Sequence, residues 1–346
     1  MKRLKREVNV TTLPDQVIEL IQFHAGRKSV VSLSSVNKSY RTSLEKFVFD
    51  CLKTTWYNLQ NNEFQMFLEQ RKSFITSMRF IDTYSYGEWQ IDVFEGVLNK
   101  LPQLQTFVVN SFNSSNWLKY RASTTIRRME MHYDYTHNET HELYENPNPK
   151  NINRLSRSSQ LPKIFSLHHL CGFPRLSDLT LTDYHFNWDE KMDSLNVQFL
   201  HLKNCTWEYP FTPAKFNENN SLITFGLTYT HDHAFLLSER FDKFVNEPFQ
   251  IGCKINKLAV VIQCCERPHY LSFNKVKMFL NRNIFPDLEE LDLSGWAADF
   301  KTLHRYLVAI GDVPVKSLKV SLGELEHKSR IRFNEWPHLK IESRIS

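Results

Sequence analysis

Glycine is scarce, nine residues in 346, and nowhere does it fall as G-x-G-x-x-G or G-x-x-x-x-G-K-S/T. The backbone cradles that hold a dinucleotide or a nucleoside triphosphate are therefore missing, and phosphate-loop enzymes drop out. No apolar run approaches the roughly 18 residues of a membrane span, and the N-terminus MKRLKREVNVTT has charge but no apolar core of a signal peptide. Neither insertion nor secretion is expected, so the chain is placed in the cytoplasm, the nucleus or both. The six cysteines contain no C-x-x-C pair and lie mostly in apolar segments, which reads as reduced, buried thiols and no zinc site. Neither H-E-x-x-H nor G-x-S-x-G occurs. The nearest approach to a metal motif, His137 and His141 with Glu139 and Glu142, lies in an Asn-, Tyr- and Pro-rich stretch. With 14 histidines such pairs arise by chance, so it reads as a solvated loop. Along an expected strand side chains alternate sides, so Glu289 points away from Glu290 and Asp292, and the run does not read as an acid/base pair. No catalytic residue, metal or cofactor is expected.

What is present is an ordinary globular balance, 41% hydrophobic and 23% charged, with a net charge of +5. That charge is too mild and too dispersed for a dedicated nucleic-acid binder. Its one concentration, Lys2 to Arg6, reads as a solvated basic arm over residues 1–12.

Residues 13–50 read as a module of three short helices. Pro14 and Asp15 suit the first turn of a helix, where a missing donor costs nothing and an acid complements the dipole. Leu13, Val17, Leu20 and Ile21 follow on one stripe. Gly26 ends that helix, Ser29 caps a second carrying Val30, Val31, Leu33 and Val36, and a third runs from about Lys38 through Tyr40, Leu44 and Phe47. So many apolar residues exceed what so short a segment can bury alone. Residues 51–72 continue as a helical linker.

These residues resemble the F-box family. Its order is Leu-Pro, an acid, two aliphatics, Ile, a Leu-rich second helix, then Val-x-Lys-x-aromatic-Arg. Leu13, Pro14, Asp15, Val17, Ile18, Ile21, Val30, Leu33, Val36, Lys38, Tyr40 and Arg41 fill that order without a gap. The resemblance implies docking to a Skp-type adaptor and, through it, to the cullin and RING subunits of a ubiquitin ligase. It also implies that Leu13, Pro14, Val17, Ile18, Ile21, Val30, Leu33, Val36 and Tyr40 form the adaptor contact.

From Ile75 onward one pattern recurs, L-x-x-L-x-L with any apolar residue in the L positions. The copies are Ile75/Met78/Phe80, Leu104/Phe107/Val109, Ile126/Met129/Met131, Leu176/Leu179/Leu181 and Val197/Leu200/Leu202. Leu222/Phe225/Leu227, Ile255/Leu258/Val260, Leu288/Leu291/Leu293, Val315/Leu318/Val320 and Trp336/Leu339/Ile341 continue it. Helical spacing falls between them at Asp92–Lys100, Ser238–Val245, Asn274–Asn283 and Phe300–Ile310. Strand alternating with helix argues for an α/β fold with a parallel sheet. The clearest copies, FPRLSDLTLTDY and FPDLEELDLSGW, resemble leucine-rich repeats, with Cys205 at the position where that family bonds the turn backbone. The resemblance implies an irregular solenoid over residues 73–346, a curved parallel sheet with helices on its convex side, interrupted by an inserted loop at about 133–160.

In such a strand the residues between the leucines project from the opposite, open face. That face is expected to carry Arg79 with Ile81, then Thr106, Val108 and Asn110, then Arg128, Glu130 and His132. Asp178, Thr180, Thr182, Phe199, His201, Lys203, Thr224, Thr228, Lys257, Glu290, Asp292, Ser294 and Lys319 complete it. Its mixture of charge, hydroxyl and aromatic groups suits protein recognition, with Arg79, Arg128, His132, Phe199, His201, Lys203, Lys257 and Asp292 as candidate contacts for a protein substrate. The resemblances together imply a non-catalytic substrate receptor of a ubiquitin ligase. The alternative is an F-box scaffold in a fixed assembly, such as one on chromatin or the kinetochore.

Overall fold

The computed structural model describes residues 13–36, 38–55, 58–80, 96, 98–111, 122–133, 163–186, 196–207, 221–230, 253–263, 269–270, 281–298, 305, 308, 315–322 and 340–345. The basic arm, most of the loop at 133–160 with its two histidines, and most of the four expected later helices lie outside these residues; of the described parts, residues 96, 98–100, 305 and 308 are helical and 281–283 are not. The protein is α/β, with a large parallel sheet and few helices. It divides into two compact units, residues 1–109 and 110–346.

The first unit opens with α1 (Asp15–Ala25), α2 (Arg27–Ser34) and α3 (Lys38–Phe49). The Pro14 carbonyl accepts from the Val17 and Ile18 amides at 3.0 and 3.2 Å and so starts α1. Gly26, at φ 77°, makes the left-handed corner into α2. Ser29 is therefore already inside α2 and is not its cap; the glycine corner starts the helix three residues earlier than a Ser29 cap would. Ile18, Val30, Leu44 and Phe47 form the module's core, with Leu13, Leu33 and Val48 packed on it. The single stripe expected on α1 splits accordingly, since Ile18 turns inward while Val17 and Leu20 stay exposed.

Of the helical linker expected over residues 51–72, residues 62–71 are helical, but the chain leaving α3 is not. Residues 51–54 form strand β1 (Cys51–Thr54), parallel to β2 (Ser77–Phe80), with Leu52 opposite Met78 and Thr54 opposite Phe80. The Asp50 carbonyl accepts from the Thr76 and Ser77 amides, each at 2.9 Å. These bonds satisfy backbone groups at the end of α3 that a helix continuing from Phe49 would have bonded internally. Helix α4 (Asn62–Arg71), capped by the Asn61 side chain accepting from the Glu63 amide, returns the chain to β2. β3 (Thr106–Ser111) lies parallel to β2.

The second unit holds β4 (Arg128–Tyr133), β5 (Lys163–Phe165), β6 (Asp178–Thr182), β7 (Tyr184–Phe186), β8 (Phe199–Lys203) and β9 (Thr206–Trp207). It continues with β10 (Thr224–Thr230), β11 (Lys257–Gln263), β12 (His269–Tyr270), β13 (Glu290–Ala298), β14 (Ser317–Leu322) and β15 (Lys340–Ile345). Its main sheet runs β4-β6-β8-β10-β11-β13-β14-β15, with β12 on β13, and every pairing within it is parallel. A smaller parallel sheet, β5-β7-β9, accompanies it.

In the first nine copies of the apolar triplet every residue is buried. At about 1.5–3 kcal/mol for each fully buried aliphatic or aromatic side chain, these rows supply the main drive for stacking one strand on the next. The tenth copy is shifted: Leu318 faces Ile341, not Leu339, so β15 begins at Lys340.

The sharpest repeat joins β6 to β8. Asp178 faces Phe199 and His185 faces Thr206, both a displacement of 199 − 178 = 206 − 185 = 21 residues. Each copy bends after its strand at a residue in the left-handed region, Asp183 at φ 64° and Asn204 at φ 51°. Both are residue types that tolerate it. The Asn204 side chain accepts from the Thr230 amide at 2.8 Å, and the Cys205 thiol donates to the Leu181 carbonyl at 3.3 Å. Cys205 thus bonds the backbone of β6, and burial pushes its thiol up to about 12. Cys253 is likewise pushed up by burial, to about 11, whereas Cys51 and Cys171 are only half-buried.

Candidate functional site

Seven of the eight expected substrate contacts fall on one face of the main sheet in the second unit. The register sets three parallel rows across its strands. The first reads Arg128, Asp178, Phe199, Thr224, Lys257, Glu290, Ser317. The second reads Glu130, Thr180, His201, Gly226, Ala259, Asp292, Lys319, and the third His132, Thr182, Lys203, Thr228, Val261. Arg79 belongs to the first unit, where it is exposed on β2 opposite Lys53 and Val108. Val108, expected on the open side, is buried.

Charges on this face pair within a strand and across strands. Arg128 donates to Glu130 at 2.9 Å and sits 3.7 Å from Asp178. Lys257 lies 2.8 Å from Glu290, and Lys319 lies 3.8 Å from Asp292. Partial burial raises the Asp178 carboxyl, with the Arg128 cation opposing and Glu130 reinforcing the shift. For Arg128, burial disfavours the cation, but the Glu130 bond and the Asp178 charge outweigh it and hold the guanidinium up.

Two histidines anchor the upper row. His132 Nδ1 is 2.9 Å from Thr182 Oγ1, and His201 Nε2 is 2.7 Å from Thr228 Oγ1, so both threonines are buried although they point to the open side. His201 keeps an exposed edge, but its ring leans over Gly226, where an added Cβ would come within 3.0 Å of Cδ2. Packing, reinforced by the Lys203 cation, therefore lowers its proton affinity below the ordinary 6.5. The unfolded chain then binds more protons than the native one as pH falls below 6.5, so this group withdraws stability on the acid side. A His201→Gln variant is expected to lose less stability than wild type between pH 7.5 and 5, followed by thermal unfolding; an unchanged pH dependence would sink the assignment.

The floor of this face is a hollow of about 400 Å³. Phe199 and His201 wall it on one side, Lys257 and Asp292 on the other, and Gly226, Ala259 and Val261 lie beneath. Sequence reasoning found its walls and missed its floor. A glycine and an alanine carry no functional group, and only the register reveals that they are neighbours.

A second exposed surface lies on the helical module. Among the nine expected adaptor contacts, Ile18 and Val30 are buried in the module's own core and are withdrawn as contacts, because a side chain cannot hold the helices together and also dock outward. Pro14, just before α1, and Val17, on it, are exposed, and Val36 after α2 is 65% exposed; Leu13, Ile21, Leu33 and Tyr40 are half-buried. Leu20 and Phe23, absent from the expected set, are more exposed still, at 58% and 82%.

Among the described residues no group of three or more His, Cys, Asp and Glu could hold a metal ion, and no helix is long and apolar enough to cross a membrane. Compared with protein-family models and with curated proteins, the sequence matches none.

Proposed function

We propose that this protein is a substrate receptor of a Skp-cullin-F-box ubiquitin ligase, with residues 13–50 as an F-box and the sheet as a leucine-rich-repeat-type recognition domain. The observation that carries the reading is the division of labour in the helical module. Four side chains close its core, while Val17, Leu20, Phe23, Val31 and Val36 keep from 37% to 82% of their surface in solvent, apolar groups available to a partner. The gapless motif order names the adaptor as that partner. The receptor needs no chemistry of its own, since holding a substrate lysine near a ubiquitin thioester raises its effective concentration.

The test is co-purification with a Skp-type adaptor. Wild type is expected to be recovered one to one with the adaptor and to recruit cullin. Val17→Asp with Val36→Asp is expected to lose the adaptor, a drop of at least about thirtyfold in affinity, with unchanged thermal unfolding because both positions are exposed. Equal recovery of both forms, or of neither, would end the F-box reading. Adaptor binding without cullin recruitment or turnover of a bound partner would instead favour a fixed scaffold.

A further inference from the structure

The hollow on the open face lies where two strands present their smallest residues side by side. Gly226 and Ala259 face each other in register at the middle of the sheet, flanked along their row by His201 and Asp292. Phe199 stands at the edge with 42% of its surface exposed, a large apolar side chain on a face otherwise made of polar and small groups. At about 400 Å³ the space falls in the range of roughly 300–1,000 Å³ that ligand sites occupy.

The charges around the hollow are already engaged. Lys257 pairs with Glu290, Lys319 with Asp292, and Asp178 with Arg128, which Glu130 shares. A charged occupant would have to break into one of these pairs and give up its own hydration. A neutral apolar group gains contact without that loss, and the aromatic rings of Phe199 and His201 favour a third ring placed edge-to-face or offset against them.

We propose that the hollow over Ala259, beside the His201 ring that covers Gly226, takes an uncharged aromatic side chain from a protein partner. This rests on the reading that the sheet face holds a protein. Its rim of paired charges then sets the register of the flanking segment, and Phe199 acts as the anchor wall.

The experiment uses the full chain with alanine methyl groups labelled and Ala259 assigned through an Ala259→Gly variant. The probes are three capped pentapeptides, glycines around a central tryptophan, aspartate or lysine. The tryptophan peptide is expected to shift the Ala259 methyl saturably, and the charged peptides are not. By fluorescence anisotropy with a dye-labelled tryptophan peptide, Ala259→Trp, which fills the space, and Phe199→Ala, which removes a wall, are each expected to weaken binding about tenfold or more. Both positions face the open side, so thermal unfolding should stay at the wild-type value. Binding by charged and aromatic peptides alike, or tryptophan binding untouched by Ala259→Trp, overturns the proposal. If the peptide fails while the adaptor still binds, this inference alone falls; if the adaptor fails while the peptide binds, the ligase reading alone falls.

Discussion

Gly295→Ala is expected to destabilise the second unit by about 3–5 kcal/mol, combining the strain of a left-handed backbone with that of overpacking. Gly295 sits at φ 85°, and a Cβ there would lie 1.9 Å from the Ile262 carbonyl oxygen and 2.7 Å from its carbon. Neither atom belongs to a flexible side chain, so the collision can be relieved only by moving β11 away from β13. The position matters to topology as well. β13 pairs with β11 as far as Asp292 and with β12 at Trp296 and Ala297, and its register against β14 slips between Leu293 and Ala297. Gly295 lies in that bulge, where one strand changes neighbours. Urea unfolding monitored by circular dichroism measures the loss, and wild-type stability in the variant would show that β11 and β13 are not so close.

Phe225→Ala should cost a comparable amount, about 3–5 kcal/mol, while Thr224→Ala, one residue away, should change stability by no more than about 0.5 kcal/mol. Phe225 is fully buried between Leu200 on β8 and Leu258 on β11, whereas Thr224 faces the open side between Phe199 and Lys257. The contrast tests the register itself, because a slip of one residue would exchange the two faces and reverse the order of the two effects. Equal costs at both positions would refute the placement of β10.

The alternation of core and open side was legible in the chain because it is local. A strand turns successive side chains to opposite faces, so the apolar triplet around Phe225 marks the inward row whatever its neighbours are. The three helices of residues 13–50 were legible for the same reason, from apolar spacing and from a glycine that only a corner requires. The left-handed residues Asp183 and Asn204, the buried Thr182 and Thr228, and the pairing of Gly226 with Ala259 were not. Each depends on which strands become neighbours, and the chain between consecutive strands of the main sheet varies too much for one period to predict.

By itself, then, the sequence determined the apolar triplets that enter the core in nine of the ten copies and that residues 13–50 form a helical module with apolar groups to spare. Tertiary structure decided the rest. It drew Cys51–Thr54 into the sheet because β2 offered backbone partners, turned Ile18 and Val30 inward while leaving Leu20 and Phe23 out, and aligned the smallest residues of β10 and β11 into a hollow. Periodicity is written in neighbouring residues, but a cavity is the difference in size between residues that only folding brings together.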